Sequence, residues 1–128
     1  MVILDTNLII DHLRQVNTKQ ETRLIQLARE YHQEQLGISM ISVQELYEGK
    51  SVAIQQGEQQ LLAIISSLKI FSYTLEIAKK AGEIARELSQ PIEFADVAIA
   101  ATCIVNHAGL ATLNEKHFLK IPQLQLVK

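Results

Sequence analysis

The chain has 128 residues, of which 48% are hydrophobic and 20% are charged, and its formal net charge is −2. This length fits one folded domain, which we expect to span residues 1–128, and the apolar content excludes a disordered protein. The slightly negative charge argues against a protein that grips duplex nucleic acid by charge alone, but not against a nuclease whose acidic centre binds cations.

Short apolar runs alternate with longer amphipathic segments along the whole chain. The short runs predict strands at residues 2–4, 37–41, 69–73 and 110–112, followed by a last extended run at 124–127. The amphipathic segments predict helices at residues 8–14, 18–35, 42–50, 58–68, 74–88 and 94–107. This alternation predicts an α/β fold with a central, mostly parallel sheet flanked by helices on both faces.

Capping and breaking residues set the predicted boundaries. Thr74 is expected to cap its helix, and Gly109 is expected to stop the long apolar helix before it. The polar stretch at 55–57 is expected to be a loop between two helices, and residues 114–118 a turn or short helix.

Cysteine content and hydropathy bear on the compartment. Cys103 is the only cysteine and lies in a run of Ala and Ile, so we expect a buried small residue and no disulfide framework. The N-terminus lacks the basic start and apolar stretch of a signal peptide, and no apolar run approaches the ~20 residues that span a bilayer. We therefore expect a cytoplasmic protein.

Polar residues that follow the predicted strands are the candidates for chemistry, because sites in parallel α/β sheets form at the carboxyl ends of the strands. Asp5 directly follows the first strand, Glu45 lies one helical turn beyond the second, and Asn114 follows the fourth. Asp96 lies in the first turn of the long apolar helix, where it is the only charged residue between 94 and 105.

Each of these residues also has a purely structural interpretation. Asp5 can cap the helix that follows it, and Asp96 can complement a helix dipole. Glu45 matches a capping box with Ser42 as the N-cap, and Asn114 can form a turn. Considered together, the acids form the hard oxygen donor set that Mg²⁺ and Mn²⁺ prefer, whereas no His or Cys spacing typical of zinc is present.

Four segments in order resemble the motifs of the PIN-domain family. Residues 3–10 (ILDTNLII) resemble its opening strand and Asp-Thr-Asn turn, and residues 41–46 (ISVQEL) resemble the second motif, which contributes a Glu. Residues 96–102 (DVAIAAT) are similar to its Asp-x-x-Ile-Ala-Ala helix, and residues 111–118 (ATLNEKHF) resemble its last motif. The segments span nearly the whole chain, and its length is that of VapC-like ribonuclease toxins.

The resemblance implies a function and a set of site residues. It implies an endoribonuclease dependent on Mg²⁺ or Mn²⁺, a homodimer, an RNA substrate and inhibition by an antitoxin protein. It implies that Asp5, Glu45 and Asp96 bind the metal, and that a metal-activated water attacks phosphorus in line to leave a 5′-phosphate and a 3′-hydroxyl. The implied supporting residues are Asn114 as a fourth catalytic residue and Thr6, Asn7, Thr112 and Glu115 around it, with Lys116 or His117 on the RNA backbone.

One departure from the family keeps alternatives open. Many members have an acid where this chain has Asn114, so the number of bound metals is open; Glu115 is a substitute carboxylate, and Glu93 and Glu76 are weaker candidates. Asn114 also favours a catalytically silent PIN-like module that binds RNA or protein. A phosphohydrolase with Asp5 as covalent nucleophile is a third interpretation, although position 7 then holds Asn instead of the usual second Asp. The apolar stripe within residues 18–68 either packs on the sheet or forms a groove for a partner helix.

Overall fold

A computed structural model describes residues 1–15 and 18–128. The strands of the described chain form one parallel sheet in the order β3-β2-β1-β4. Their bounds are β1 Val2–Leu4, β2 Leu36–Ser39, β3 Lys69–Phe71 and β4 Gly109–Ala111. The α-helices are α1 Thr6–Arg14, α2 Arg23–Glu30, α3 Met40–Glu48, α4 Gln55–Ile65, α5 Leu75–Glu87 and α6 Phe94–Val105. The predicted α/β fold with a parallel sheet is confirmed.

Helices cover both faces of the sheet, as the near-continuous apolar strands require. Successive side chains of a strand point to opposite faces, so Val2 and Leu4 pack with α1 to α4 while Ile3 packs with α5 and α6. Cys103 lies fully buried in the α6 side of this core, as expected from the sequence. None of the helices in residues 1–15 and 18–128 is long and apolar enough to cross a membrane.

The register between β1 and the edge strand β4 determines which polar residues meet. Leu4 of β1 pairs with Ala111 of β4, and the Asp5 amide donates to the Ala111 carbonyl over 2.9 Å. Asp5 and Thr112 therefore lie side by side at the carboxyl edge of the sheet. Beyond them, the chain ends in a parallel bridge between Leu110 and Leu126.

The structure corrects the helix predicted at residues 18–35. The observed helix is α2, and Thr22 begins it because its hydroxyl accepts from the Ile25 amide. At Tyr31 the backbone turns extended, and a short 3₁₀ turn at Gln33–Gln35 precedes β2. The predicted amphipathic period was right for the middle of this stretch, but the capping residue limits its length. Val16 and Asn17, between this stretch and α1, lie outside the described residues.

The predicted capping box at Ser42 and Glu45 is wrong. The N-cap of α3 is Ser39, whose hydroxyl accepts from the Ile41 amide, so β2 ends two residues earlier than predicted. Ser42 is instead fully buried inside the helix. Glu45 therefore does not belong to a capping box at the start of α3.

Two glycines behave differently from the prediction. The stretch 55–57, expected to be a loop, begins α4, where Gly57 leaves room for the Ser51 carbonyl that a Cβ would strike. Gly109 does not stop α6 but begins β4. The residue that takes the left-handed conformation after that helix is His107, with φ of 53°.

Candidate active site

Asp5 is the most enclosed acid at the carboxyl edge of the sheet. It caps α1, and its Oδ1 accepts from the Thr6 amide over 2.8 Å, so the capping interpretation describes its local role. Its Oδ2 accepts from the Thr112 hydroxyl over 2.7 Å. The residue is only 5% exposed. Both carboxylate oxygens are thus held by donors that belong to β1–α1 and to the end of β4.

Burial raises the pKa of Asp5 above its ordinary value. The hydrogen bonds from Thr112 and Thr6 lower that pKa, the charge of Asp96 raises it, and His117 lowers it. Burial and the nearby charge of Asp96 therefore both destabilise the ionised form of Asp5. A cation placed beside it would offset both effects.

Thr6 connects Asp5 to Glu45. Its hydroxyl lies 2.6 Å from Glu45 Oε1 and 2.9 Å from the buried Ser42 Oγ. A hydroxyl has one hydrogen and a carboxylate only accepts, so Thr6 donates to Glu45 and its oxygen accepts from Ser42. This relay fixes the orientation of Glu45 on α3 relative to α1.

Thr112 and Asn7 complete this side of the site. The Thr112 hydroxyl oxygen accepts from the Asn114 amide over 3.0 Å and lies 3.5 Å from Asn7 Nδ2. Asn7 Oδ1 accepts from the Leu113 amide over 3.3 Å. The structure thus brings Thr6, Asn7 and Thr112 together around Asp5.

Asp96 lies in the first turn of α6, with its side chain 19% exposed. Burial raises its pKa most, the nearby His117 lowers it, and the charges of Glu93 and Glu45 raise it. His117 Nδ1 lies 3.2 Å from Asp96 Oδ2. Asp96 is therefore within electrostatic reach of both Asp5 and Glu45, and its direct partner is a histidine.

Asn114 lies one contact away from the acids. Its Nδ2 is 3.0 Å from His117 Nε2, so it connects to Asp96 through that ring. Glu115 forms an ion pair with Lys128 Nζ over 2.6 Å, so its carboxylate already has a cationic partner. Glu93 precedes α6 and lines the same cavity as Asp96, whereas Glu76 lies in the first turn of α5.

The donor chemistry fits a hard divalent cation, although the acids do not form a closed cage. In the part of the chain that the structure describes, no three His, Cys, Asp or Glu side chains are close enough to hold one ion together. Mg²⁺ usually keeps several waters and takes one or two protein carboxylates directly. Asp5 and Asp96, two desolvated carboxylates that repel each other, suit that mode, with Glu45 within reach through water.

Sequence reasoning missed two features of this site. Ser42 was interpreted as a helix cap, but it supports Thr6 from inside α3. His117 was considered only as an RNA contact, but it lies between Asp96 and Asn114. The only local signal for His117 is the Asn-x-x-His spacing, which brings both side chains to one side of the short turn Glu115–His117.

Comparison with known proteins adds an independent result. The PIN domain family model matches residues 2–124. Ribonuclease VapC10 of Mycobacterium tuberculosis is 33% identical over 98% of this chain and 91% of its own length. Ribonuclease VapC19 of the same organism is 31% identical over 98% of each chain.

The fold has a similarly extensive match among solved structures. A chain in the crystal structure of DNA-bound VapBC from Salmonella typhimurium superposes with a TM-score of 0.86 and 26% identity, over 98% of this chain and 96% of that one. The family match covers nearly every element from β1 to the residues after β4. The chain belongs to the PIN-domain family and is related to the VapC ribonucleases.

Proposed function

We propose that this protein is a metal-dependent endoribonuclease and the toxin of a VapBC-type toxin–antitoxin pair. The observation that carries the proposal is Asp5, a buried carboxylate with both oxygens oriented by fixed donors and with Asp96 near enough to raise its pKa. Acids that lie close together and have pKa values raised by burial are typical of functional sites. The related proteins VapC10 and VapC19 are named ribonucleases, which supports this activity and an RNA substrate.

Asp5, Asp96 and Glu45 would hold Mg²⁺ or Mn²⁺, directly or through water. A cation bound there supplies positive charge that lowers the pKa of water and stabilises charge on a phosphodiester. Thr112 and the Thr6 amide keep Asp5 in one orientation, and the Thr6 hydroxyl keeps Glu45 Oε1 facing the site.

Glu45 can accept the proton that the attacking water loses. Glu45 Oε2 accepts no hydrogen bond within residues 1–15 and 18–128, which leaves it available to take a proton from the attacking water. The water oxygen bonds to phosphorus in line, the bond to the 3′ oxygen breaks, and that oxygen takes a proton from solvent. The products are a 5′-phosphate and a 3′-hydroxyl.

Cleavage of labelled RNA by the purified protein tests this function. We expect cleavage in Mg²⁺ or Mn²⁺, its loss in EDTA, and its return when metal is added back. An Asp5→Asn preparation made in parallel should be inactive, which controls for contaminating ribonuclease. RNA binding without cleavage in any metal would instead support the catalytically silent module that Asn114 left open.

An antitoxin partner is part of the proposal, and the structure offers one groove for it. A cavity of about 490 Å³ lies between α2 and α4, with half-buried Ile25, Ile64 and Leu68 among its lining residues. Leu24 and Leu27 of α2 pack inward, whereas Ile25 of the same helix lines the cavity, so part of the apolar stripe is left for a partner. A groove of this kind takes the apolar face of an amphipathic helix.

The product of an adjacent small open reading frame, if the gene has one, is the partner to test. Co-expression and co-purification should succeed with the unchanged chain and fail with Ile25→Asp, whereas Ile25→Asp alone should still cleave RNA. Co-purification that survives Ile25→Asp would remove the groove from the proposal.

We also propose a homodimer, because large apolar side chains are exposed where helices start at the sheet edge. Leu75 at the start of α5 is 87% exposed, and Phe94 at the start of α6 is 69% exposed and packs against Tyr73. Tyr73 connects the two, because it contacts Phe94 and lies two residues before Leu75, and large exposed apolar patches are rare on monomeric proteins. Light scattering should give a dimer mass for the unchanged chain and a monomer mass for Phe94→Asp.

A further inference from the structure

We propose that His117 binds the metal ion together with Asp96, so that the site holds Mn²⁺ more tightly than Mg²⁺. The inference rests on the proposed metal-dependent function and adds a nitrogen ligand to the three acids. It concerns the segment in which this chain has Asn114, followed three residues later by His117, where many members of the family have an acid.

The two donor atoms stand at the separation that one ion requires. His117 Nδ1 lies 3.2 Å from Asp96 Oδ2. Ligands on adjacent corners of an octahedral ion, each bound over about 2.1 Å, lie about 3 Å apart. A hydrogen bond between two charged groups is ordinarily shorter, at about 2.7–2.9 Å. The two atoms are therefore spaced as neighbouring ligands of one ion, and farther apart than in a tight ion pair.

Asn114 holds the imidazole ring beside Asp96. Its Nδ2 lies 3.0 Å from His117 Nε2 and 3.2 Å from Nδ1. A side-chain amide carries an acceptor oxygen as well as a donor nitrogen, so Oδ1 accepts the hydrogen of Nε2 when the amide turns over. That hydrogen bond leaves the lone pair on Nδ1, which faces Asp96. Metal-binding histidines usually have such a partner on the second ring nitrogen, and the partner fixes the tautomer.

His117 is close to both desolvated acids of the site. It lies at the end of the short turn Glu115–His117, and its side chain is 55% exposed. Its charge lowers the pKa of Asp5 as well as that of Asp96, so both carboxylates are within its electrostatic reach. Its partly exposed pair with Asp96 contributes little to stability. A cation can therefore separate the two side chains and bind both of them.

The chemistry of the donors determines which ion the site prefers. Mg²⁺ takes oxygen ligands and gives up its water reluctantly. First-row transition ions also bind imidazole, with an affinity that increases from Mn²⁺ to Cu²⁺. A neutral imidazole adds a ligand without adding to the negative charge of Asp5, Glu45 and Asp96, which repels a phosphate group. An imidazole beside a carboxylate therefore favours Mn²⁺ over Mg²⁺.

Binding of Mn²⁺ to the purified protein without RNA tests the inference. The dissociation constant is measured from the electron paramagnetic resonance signal of free Mn²⁺, and that of Mg²⁺ from its competition with Mn²⁺. Pulsed measurements on bound Mn²⁺ detect a directly bound imidazole nitrogen. The variant is His117→Gln. The matched control is His32→Gln, which changes an exposed histidine ahead of the amino end of β2, whereas the acids lie at the carboxyl edge of the sheet.

We expect the unchanged protein and His32→Gln to bind Mn²⁺ more tightly than Mg²⁺ and to show the nitrogen signal. His117→Gln should lose that signal and bind Mn²⁺ about 10- to 100-fold more weakly, the range found when the partners of metal ligands are removed. Its affinity for Mg²⁺ should change less than about 2-fold, because Mg²⁺ uses oxygen ligands. The loss should appear in the affinity for Mn²⁺ and not in kcat at saturating metal.

The opposite results separate this inference from the proposed function. The inference would be overturned by bound Mn²⁺ without a nitrogen signal, by a nitrogen signal that persists in His117→Gln, or by Mn²⁺ that binds no more tightly than Mg²⁺. If such a protein still cleaves RNA in a manner that EDTA abolishes, the proposed function stands without the nitrogen ligand. A protein that binds neither ion would overturn both. Thermal midpoints in EDTA check that the two variants keep the fold.

Discussion

Asp5 and Asp96 are desolvated carboxylates at the same site, but the protein holds them in different ways. Both oxygens of Asp5 accept hydrogen bonds from donors fixed in the fold, the Thr6 amide and the Thr112 hydroxyl. Among the described residues, the one side-chain partner of Asp96 is His117, whose own side chain is 55% exposed and lies in a short turn. The orientation of Asp5 is thus fixed by donors at the edge of the sheet, whereas that of Asp96 depends on one partly exposed residue.

The difference indicates a division of labour within the site. Asp5 has a defined orientation before any ligand arrives, which lowers the cost of organising the site. The pair of Asp96 and His117 contributes little stability because it is partly exposed, so a cation or substrate can displace His117 at low cost. The comparison predicts that Asp5 defines the position of the chemistry and that Asp96 adapts to what binds.

The largest expected effect comes from neutralising each acid in turn. Asp5→Asn should lower cleavage more than about 100-fold, because it removes the carboxylate that we propose holds the metal. It should also raise the thermal midpoint measured in EDTA, because burial of the charge disfavours the folded state. Asp96→Asn should lower cleavage as strongly but raise the midpoint less, since Asp96 is more exposed. If Asp96→Asn raised the thermal midpoint more than Asp5→Asn did, Asp5 would not be the more strongly desolvated acid.

The hydrogen-bond partners of the two acids should differ in importance. Thr112→Val removes the donor to Asp5 Oδ2 and should lower kcat about 10- to 100-fold, the range found for residues that orient metal ligands. His117→Gln should lower it less than about 10-fold, because its contact with Asp96 is partly exposed. Thr102→Val is the control for loss of a threonine hydroxyl: Thr102 is more deeply buried than Thr112, and its hydroxyl donates to the Ala98 carbonyl of its own helix instead of to an acid of the site. Equal losses for Thr112→Val and His117→Gln would contradict the division of labour.

The pH dependence of stability should report the same acids. Burial raises the folded-state pKa of Asp5 and Asp96 above the ordinary value of 3.8, so the folded protein holds their protons more tightly than the unfolded chain. Stability of the metal-free protein should therefore fall as pH rises from about 3.8 through the raised pKa values. Urea unfolding in EDTA at several pH values measures this, and Asp5→Asn should flatten the decline. If the free energy of unfolding instead increased with pH over this range, and Asp5→Asn removed that increase, the pKa of Asp5 would not be raised in the folded protein.

The smallest effect should come from Glu115→Gln. The Glu115 carboxylate pairs with Lys128, and an exposed pair contributes at most about 1 kcal/mol. Cleavage should change less than about 2-fold, as expected for a surface ion pair outside the site. A loss comparable to that of Asp5→Asn in the same assay would make Glu115 a metal ligand after all.

The sequence predicted the parts of the site that depend on local order. An apolar run followed by Asp-Thr-Asn predicts a buried strand that ends at Asp5, and the parallel pairing of β1 with β4 brings Thr112 beside it. The alternation of strands and helices was sufficient for the α/β fold. The metal-binding roles of Asp5, Glu45 and Asp96 remain predictions for the experiments above.

The rest depends on contacts that local patterns do not encode. Ser42 and Glu45 match a capping box, yet Ser39 is the cap, because tertiary packing ends β2 earlier and buries Ser42 against Thr6. His117 meets Asp96 only because β4 returns the chain to the start of α6. Neither the burial of Ser42 nor the contact of His117 with Asp96 can be predicted from the hydrophobic periodicity of the sequence.

The bridge between Leu110 and Leu126 has a consequence for how the protein behaves in solution. Leu110 donates to the Gln125 carbonyl over 2.9 Å and accepts from the Val127 amide over 2.8 Å, so the outer edge of β4 has its hydrogen-bonding groups occupied. At the other edge β3 has only three residues and begins with the exposed Lys69. Short, charged or covered edges discourage strand pairing between molecules. A truncation that removes residues 125–127, or a tag that displaces them, would expose the outer edge of β4 and is expected to favour aggregation.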